Sequence, residues 1–131
     1  MRRLAAFVLA ACLLAPAGIA SDRATWVITD QSAVTMTATT TGTGWLVEKY
    51  TECSVFVDVT AASGTTPTLD VAIQTGPDNS IFVAHTSFTQ ITGVTTAAKN
   101  VTTVAQYLRL KYTIAGSSPS FTLTSKIVCK T

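Results

Sequence analysis

The chain has 131 residues, 47% of them hydrophobic and 12% charged, which fits one small domain with a single core and excludes two well-packed ones. Its 9 basic and 7 acidic residues give a formal charge of +2. Because only RLK at 109–111 approaches a basic cluster, the footprint needed to neutralise several phosphates is missing and no nucleic-acid partner is expected.

The first segment reads as a secretory leader. MRRLAAFVLAACLLAPAGIASDRA joins a basic start to an apolar run and to small residues around Ala20, the layout of a cleavable signal peptide. The apolar run from Leu4 to Ala15 falls short of the roughly 20 residues a spanning helix needs, and Pro16 and Gly18 break it. Cleavage after Ala20 is therefore expected, with residues 1–20 as signal peptide, 21–131 as a single domain and no stable membrane insertion. That domain holds 7 basic against 7 acidic residues, since Arg2 and Arg3 leave with the leader. LAAC at 9–12 resembles a lipobox and offers a rival outcome, a chain lipidated at Cys12. The early position of Cys12 and the apolar LLA after it favour ordinary cleavage.

Beyond the leader, threonine, aliphatic and aromatic residues recur in short alternating runs, and no 3.6-residue period is sustained. TWVITD at 25–30 and AVTMTATT at 33–40 come first. TGTG at 41–44 signals a turn, and GWLVEKY at 44–50, SVFVDVT at 54–60 and TLDVAIQT at 68–75 follow. GPDNS at 76–80 is rich in turn formers and leads into SIFVAHTSF. Residues 89–99 read as a loop and NVTTV at 100–104 as a short strand. QYLRLKYTI at 106–114 and SFTLTSKIVC at 120–129 complete the chain. About eight strands with turns every ten residues or so predict an all-β fold, an antiparallel β-sandwich or jelly roll. Trp26, Val55, Val57, Leu69, Val71, Ile73, Phe82, Leu108, Leu110, Tyr112, Phe121 and Leu123 are the expected core, while Arg109 and Lys111 alternate onto a solvated face.

Two cysteines remain after leader cleavage, in a compartment where disulfides persist. Cys53 shares its strand face with Val55, Val57 and Val59, and Cys129 shares one with Phe121, Leu123 and Ile127. Both thiols therefore point inward. If the two strands are antiparallel neighbours, or face each other across a sandwich, a Cys53–Cys129 disulfide forms and staples the domain. There is also an internal echo: SGTTPTLDV at 63–71 and AGSSPSFTL at 115–123 share a small-Gly-Ser/Thr-Ser/Thr-Pro pattern. Each links one strong strand to another, as two corners at one end of a sandwich would.

Catalytic patterns are thin. His85 is the only histidine and sits among strand residues, so a triad would have to be built on it. Asp22, Asp30, Glu48, Glu52, Asp58, Asp70 and Asp78 are scattered, and no second histidine or close cysteine pair completes a metal set. Asp58 and Asp70 flank one loop and could meet as a carboxylate pair, but lone acids on solvated strand faces are the commoner case. Neither a catalytic residue nor a cofactor is expected. NVT at 100–102 is a formal glycosylation sequon, relevant only in a eukaryotic secretory route.

The runs DVTAASGTTPTLDVAIQT, SFTQITGVTT and YLRLKYTIAGSSPSFTLTSKIV resemble a family of small proteins encoded among the structural genes of tailed bacteriophages. The likeness extends over about residues 43–131. It implies a β-sandwich virion component with no catalytic residues to carry over. The leader and the pair Cys53 and Cys129 depart from that pattern, because most virion proteins assemble in the reducing cytoplasm. The leading functional expectation is thus a non-enzymatic structural protein, virion-like or extracellular, that associates with itself or with a larger assembly. TMTATTTGTG at 35–44 is the candidate edge strand for such contacts. The alternative is a secreted carbohydrate-binding or adhesion module, in which Trp26, Trp45, Tyr50 or Tyr107 stacks on a glycan. Trp45, Tyr50 and Tyr107 are the candidate contact residues under either expectation.

Overall fold

The computed structural model describes residues 24–102 and 105–131. The expected leader, Cys12, and part of the expected strand at 100–104 lie outside those residues. Among the described residues, seven strands make one antiparallel sheet: β1 (Thr25–Met36), β2 (Thr40–Thr41), β3 (Trp45–Leu46), β4 (Glu52–Gly76), β5 (Val83–Ser87), β6 (Thr95–Thr102) and β7 (Tyr107–Lys130).

Two of these strands are far longer than any alternating run. β4 has 25 residues and β7 has 24, and they pair from Glu52↔Lys130 to Gly76↔Tyr107. Each fuses two expected strands through one of the echoed corners, and β1 likewise joins the expected strand at 25–30 to the start of the one at 33–40, whose last part becomes β2. A straight strand of that length would extend about 80 Å, and these do not stay straight. Tyr112 and Ser125 lie 13 residues apart in β7, about 40 Å in an extended chain, yet their hydroxyl oxygens are 2.6 Å apart. The β4–β7 ribbon thus bends at its middle and folds the open sheet into two facing layers. One layer holds β1, the second half of β7, the first half of β4 and β6. The facing layer holds β5, the second half of β4, the first half of β7 and the short β2 and β3.

The bend has a local cause. Register shifts fall between Val59 and Ala61, Ser63 and Thr65, and Thr65 and Thr68, with Gly64 at φ 112° and Gly116 at φ 123°. A Cβ on Gly64 would stand 2.7 Å from the carbonyl oxygen of Ser118, and one on Gly116 would stand 2.8 Å from that of Thr66. Only glycine allows the two backbones to cross so closely. Thr66 at φ 48° and Ser118 at φ 49° complete the turn before each proline. The two corners are therefore register partners, centred on the pair Thr65↔Ser117.

The alternating runs bury one face as expected. Val55, Val57, Leu69, Val71, Ile73, Leu108, Leu110, Tyr112, Phe121 and Leu123 lie in the core. Trp26 and Phe82 do not. Trp26 is half-buried at the open end of its layer, and Phe82 lies under the Arg109 guanidinium, 3.9 Å from its ring centroid. Residues outside the strong strands close the open sides instead: Met36, Val47, Tyr50, Phe88, Ile91 and Val101 are all buried. The expected loop at 89–99 holds the start of β6, and the expected strand at 44–50 is extended only at Trp45–Leu46. There the backbone turns, with the Tyr50 amide donating to the Val47 carbonyl at 2.9 Å.

The edges are guarded in different ways. β1 carries register shifts between Thr29 and Gln31 and between Gln31 and Val34, which interrupt a flat edge. β6 pairs eight residues with β4 without a bulge. Lys99 stands opposite the core residue Val55, and its Nζ donates to the Ser87 carbonyl at 2.7 Å. An inward-facing lysine on an edge strand opposes edge-to-edge pairing. The segment TMTATTTGTG is not one continuous edge strand: Thr35 and Met36 end the edge strand β1, and Thr40–Thr41 form the short β2, whose only strand neighbour is β7. It leaves β1 at Met36, crosses to the facing layer and pairs with β7 there only at Thr40 and Thr41.

Candidate functional site

Cys53 and Cys129 are register partners on adjacent strands and are bonded, with Cα atoms 4.0 Å apart and no exposed surface. The row across this end of the layer runs Trp26, Cys129, Cys53, Val101. The disulfide is therefore a staple within one layer, and Trp26 stands beside it.

Three aromatic residues gather at this end. Trp26 and Tyr50 stack with ring centroids 5.8 Å apart and planes 20° from parallel. Trp45 meets Trp26 edge-on at 6.3 Å and 81°. Tyr50 is buried, whereas both tryptophans are half-buried. Two of the expected contact residues, Trp45 and Tyr50, are thus brought together with Trp26. Tyr107 is not part of the group. It pairs with Leu46 and Gly76, and because the next residue, Leu108, points into the core, it stands on the outward face.

Beneath the aromatics lies a polar network that crosses the core. The Trp45 Nε1–H donates to Asp30 Oδ1 at 3.0 Å, and the Tyr112 hydroxyl donates to Asp30 Oδ2 at 2.8 Å. With its proton so engaged, Tyr112 accepts from the Ser125 hydroxyl at 2.6 Å. Burial first, and the Asp30 charge second, push the Tyr112 hydroxyl well above its usual pKa of 10.0. Gly42 makes room for the carboxylate, since a Cβ there would lie 2.5 Å from Asp30 Oδ2. Sequence reasoning missed this network. The signal was available in part, because a core tyrosine needs a partner for its hydroxyl, but nothing local to residue 112 points to residue 30.

A cleft of about 410 Å³ opens at this end, lined by Trp26, Leu46, Glu48, Lys49 and Tyr50. The Lys49 ammonium stands 5.3 Å from the centroid of the Tyr50 ring. The cleft thus combines an aromatic wall with one carboxylate and one ammonium, able to accept and donate hydrogen bonds side by side.

A second surface feature lies on the outer face of the layer that contains β6. Phe56 sits in the central strand β4 and is still 42% exposed. Its row runs Thr29, Lys126, Phe56, Ala98, and the next runs Val27, Val128, Ser54, Asn100, with Val27 57% exposed. A shallow depression of about 320 Å³ beside Phe56 is bounded by Asp58, Thr96, Thr124 and Lys126.

The isolated polar residues have local roles. Asp58 accepts from Thr96 at 2.6 Å on one outer face, and Asp70 accepts from Gln90 at 3.1 and 3.2 Å on the other, so the two acids do not form a pair. His85 is exposed on β5. Among the described residues no group of three or more His, Cys, Asp or Glu could hold a metal ion.

No protein-family model matches the chain, and no curated protein is similar enough to supply a family for it.

Proposed function

We propose that this protein is a non-enzymatic structural subunit, virion-like or extracellular, that makes protein–protein contacts through the outer face centred on Phe56. One observation carries the reading: an aromatic residue in the middle of a four-stranded layer is left 42% exposed, with Val27 on the same face. Central strands of a solvated face ordinarily present polar residues. An apolar centre with a rim of Asp58, Lys126, Asn100 and threonines has instead the make-up of a contact patch. The disulfide, and the lack of any helix among the described residues long and apolar enough to cross a membrane, are compatible with an extracellular location. The resemblance to phage structural-gene proteins supports the structural role and not the location.

The test is the association state of the mature chain. Sedimentation velocity across a concentration series, together with electron microscopy of the secreted or particle-associated fraction, is expected to show oligomers or incorporation into particles. Phe56→Ser, on an exposed face, is expected to keep the fold and weaken association at least tenfold. A strictly monomeric wild type that never accompanies particles would sink the reading.

A further inference from the structure

We infer that the cleft at the Trp26 end is a carbohydrate-binding site for neutral oligosaccharides, and that Asp30 is its positioning residue. This goes beyond the assembly reading and does not depend on it.

The inference begins from an internal two-fold. β1, β2–β3 and β4 form one half of the molecule, and β5, β6 and β7 form the other. β1 lies on the second half of β7 as β5 lies on the second half of β4, while β2 and β3 lie on the first half of β7 as β6 lies on the first half of β4. The corners cross at Thr65↔Ser117, so the local axis passes between them. Positions can then be matched by register. Leu69 and Phe121 each stand five residues beyond their corner glycine, so Ser125 matches Ile73. Before the corners, the shift between Val59 and Ala61 makes Tyr112 match Val59 and Leu108 match Val55. Trp45, the partner of Leu108, therefore matches Lys99, the partner of Val55. Asp30 falls in the register shift between Thr29 and Gln31, and His85 falls in the corresponding shift opposite Ile73 and Gln74.

Asp30, Trp45, Tyr112 and Ser125 on one side thus correspond to His85, Lys99, Val59 and Ile73 on the other. Val59 and Ile73 are plain core residues, and Lys99 straps β6 to the Ser87 carbonyl. The same framework therefore closes one of its two sides without a carboxylate reaching into it. Taking a carboxylate partly out of water is costly unless it is well bonded, and the fold does not demand it. The network lies on the side that carries the cleft, and it holds the indole of Trp45, which meets Trp26 edge-on.

The ligand class follows from the lining. Trp26 is backed by the buried Tyr50 ring and edged by Trp45, so its orientation is set before any ligand arrives and little freedom is lost on binding. The part of the Trp26 indole that lines the cleft offers negatively polarised π density to the weakly positive C–H face of a sugar ring. Glu48 accepts from sugar hydroxyls and Lys49 donates to them. The two charges cancel, which favours neutral sugars over phosphorylated or acidic ones. A volume of about 410 Å³ lies within the usual range of small-ligand clefts, roughly 300–1,000 Å³.

The experiment is titration of the mature protein with cellotriose, xylotriose, maltotriose and chitotriose, each to about 10 mM, followed by tryptophan fluorescence and by two-dimensional NMR. At least one is expected to bind saturably and to shift the indole signals of Trp26 and Trp45. Affinity is expected to fall at least tenfold in Trp26→Ala and several-fold in Lys49→Ala, whose exposed side chain does not endanger the fold. Asp30→Asn is expected to weaken binding several-fold and to move the Trp45 indole resonance in the unliganded protein. Phe56→Ser is expected to bind as the wild type does, which separates this site from the assembly face. If none of the four sugars binds, or if Trp26→Ala and Lys49→Ala bind unchanged, the site is overturned. Unaltered binding by Asp30→Asn would overturn the role given to the carboxylate.

Discussion

Tyr112 fills the core with its ring and ties the two layers with its hydroxyl, donating to Asp30 and accepting from Ser125. Removing that oxygen leaves buried polar groups short of a partner. Tyr112→Phe is therefore expected to destabilise the fold by about 1–3 kcal/mol, measured by urea unfolding at neutral pH. The pH dependence has a definite sign. Burial and the Asp30 charge raise the folded-state pKa of Tyr112 above its usual 10.0, so the unfolded chain loses this proton first. The stabilisation is complete below pH 10 and is lost as pH climbs above it, at up to about 1.4 kcal/mol per pH unit. Tyr112→Phe is expected to lack this component, so the gap between variant and wild type narrows in unfolding curves above pH 10. A gap that stays constant to pH 11 would show that the hydroxyl is not held protonated. At this scale the sequence revealed that residue 112 points inward, because alternation is local. It hid Asp30, whose partners lie 15 and 82 residues away.

The corner is where individual residues become an element. Gly64 and Gly116 let the β4 and β7 backbones cross, and an added Cβ would meet a carbonyl oxygen at 2.7 or 2.8 Å. Gly64→Ala combines that clash with a φ of 112° and is expected to cost about 1–3 kcal/mol or more. Thr66 presents the opposite case. It is a β-branched residue held at φ 48°, where an L side chain costs about 1–2 kcal/mol; glycine removes that cost but adds about 0.5–1 kcal/mol of unfolded-state entropy. Thr66→Gly is expected to be neutral to about 1 kcal/mol stabilising. Thermal unfolding of both variants checks the pair, and equal destabilisation by the two would refute the backbone account. The echoed Gly-Ser/Thr-Ser/Thr-Pro pattern announced both corners. Their mutual pairing was not legible, because strand neighbours 52 residues apart leave no trace in local composition.

Over the whole molecule, the disulfide closes a separation of 76 residues. Loop-closure entropy for that length corresponds to about 4 kcal/mol. The double variant Cys53→Ala, Cys129→Ala is expected to lose about 2–4 kcal/mol by guanidinium unfolding while keeping its far-ultraviolet spectrum, because the β4–β7 ladder survives. A loss below about 1 kcal/mol would mean that the ladder already restrains the unfolded chain near that end. The proposed contact face and the proposed sugar cleft lie on different parts of the surface, so Phe56→Ser and Trp26→Ala report on them separately.

By itself the sequence determined the all-β class, the inward faces of the two strong ribbons, the direction of both thiols and the sites of the bends. Each of these follows from side-chain alternation or from glycine and proline, which act within a few residues. Only the tertiary structure decided that four expected strands are two, that the corners pair, that residues 95–102 form a strand, and that Trp26 leaves the core to line a cleft with Lys49 and Glu48. Those outcomes depend on which distant segment covers a given face. Coverage is set by the path of the folded sheet, and no short stretch of chain encodes it alone.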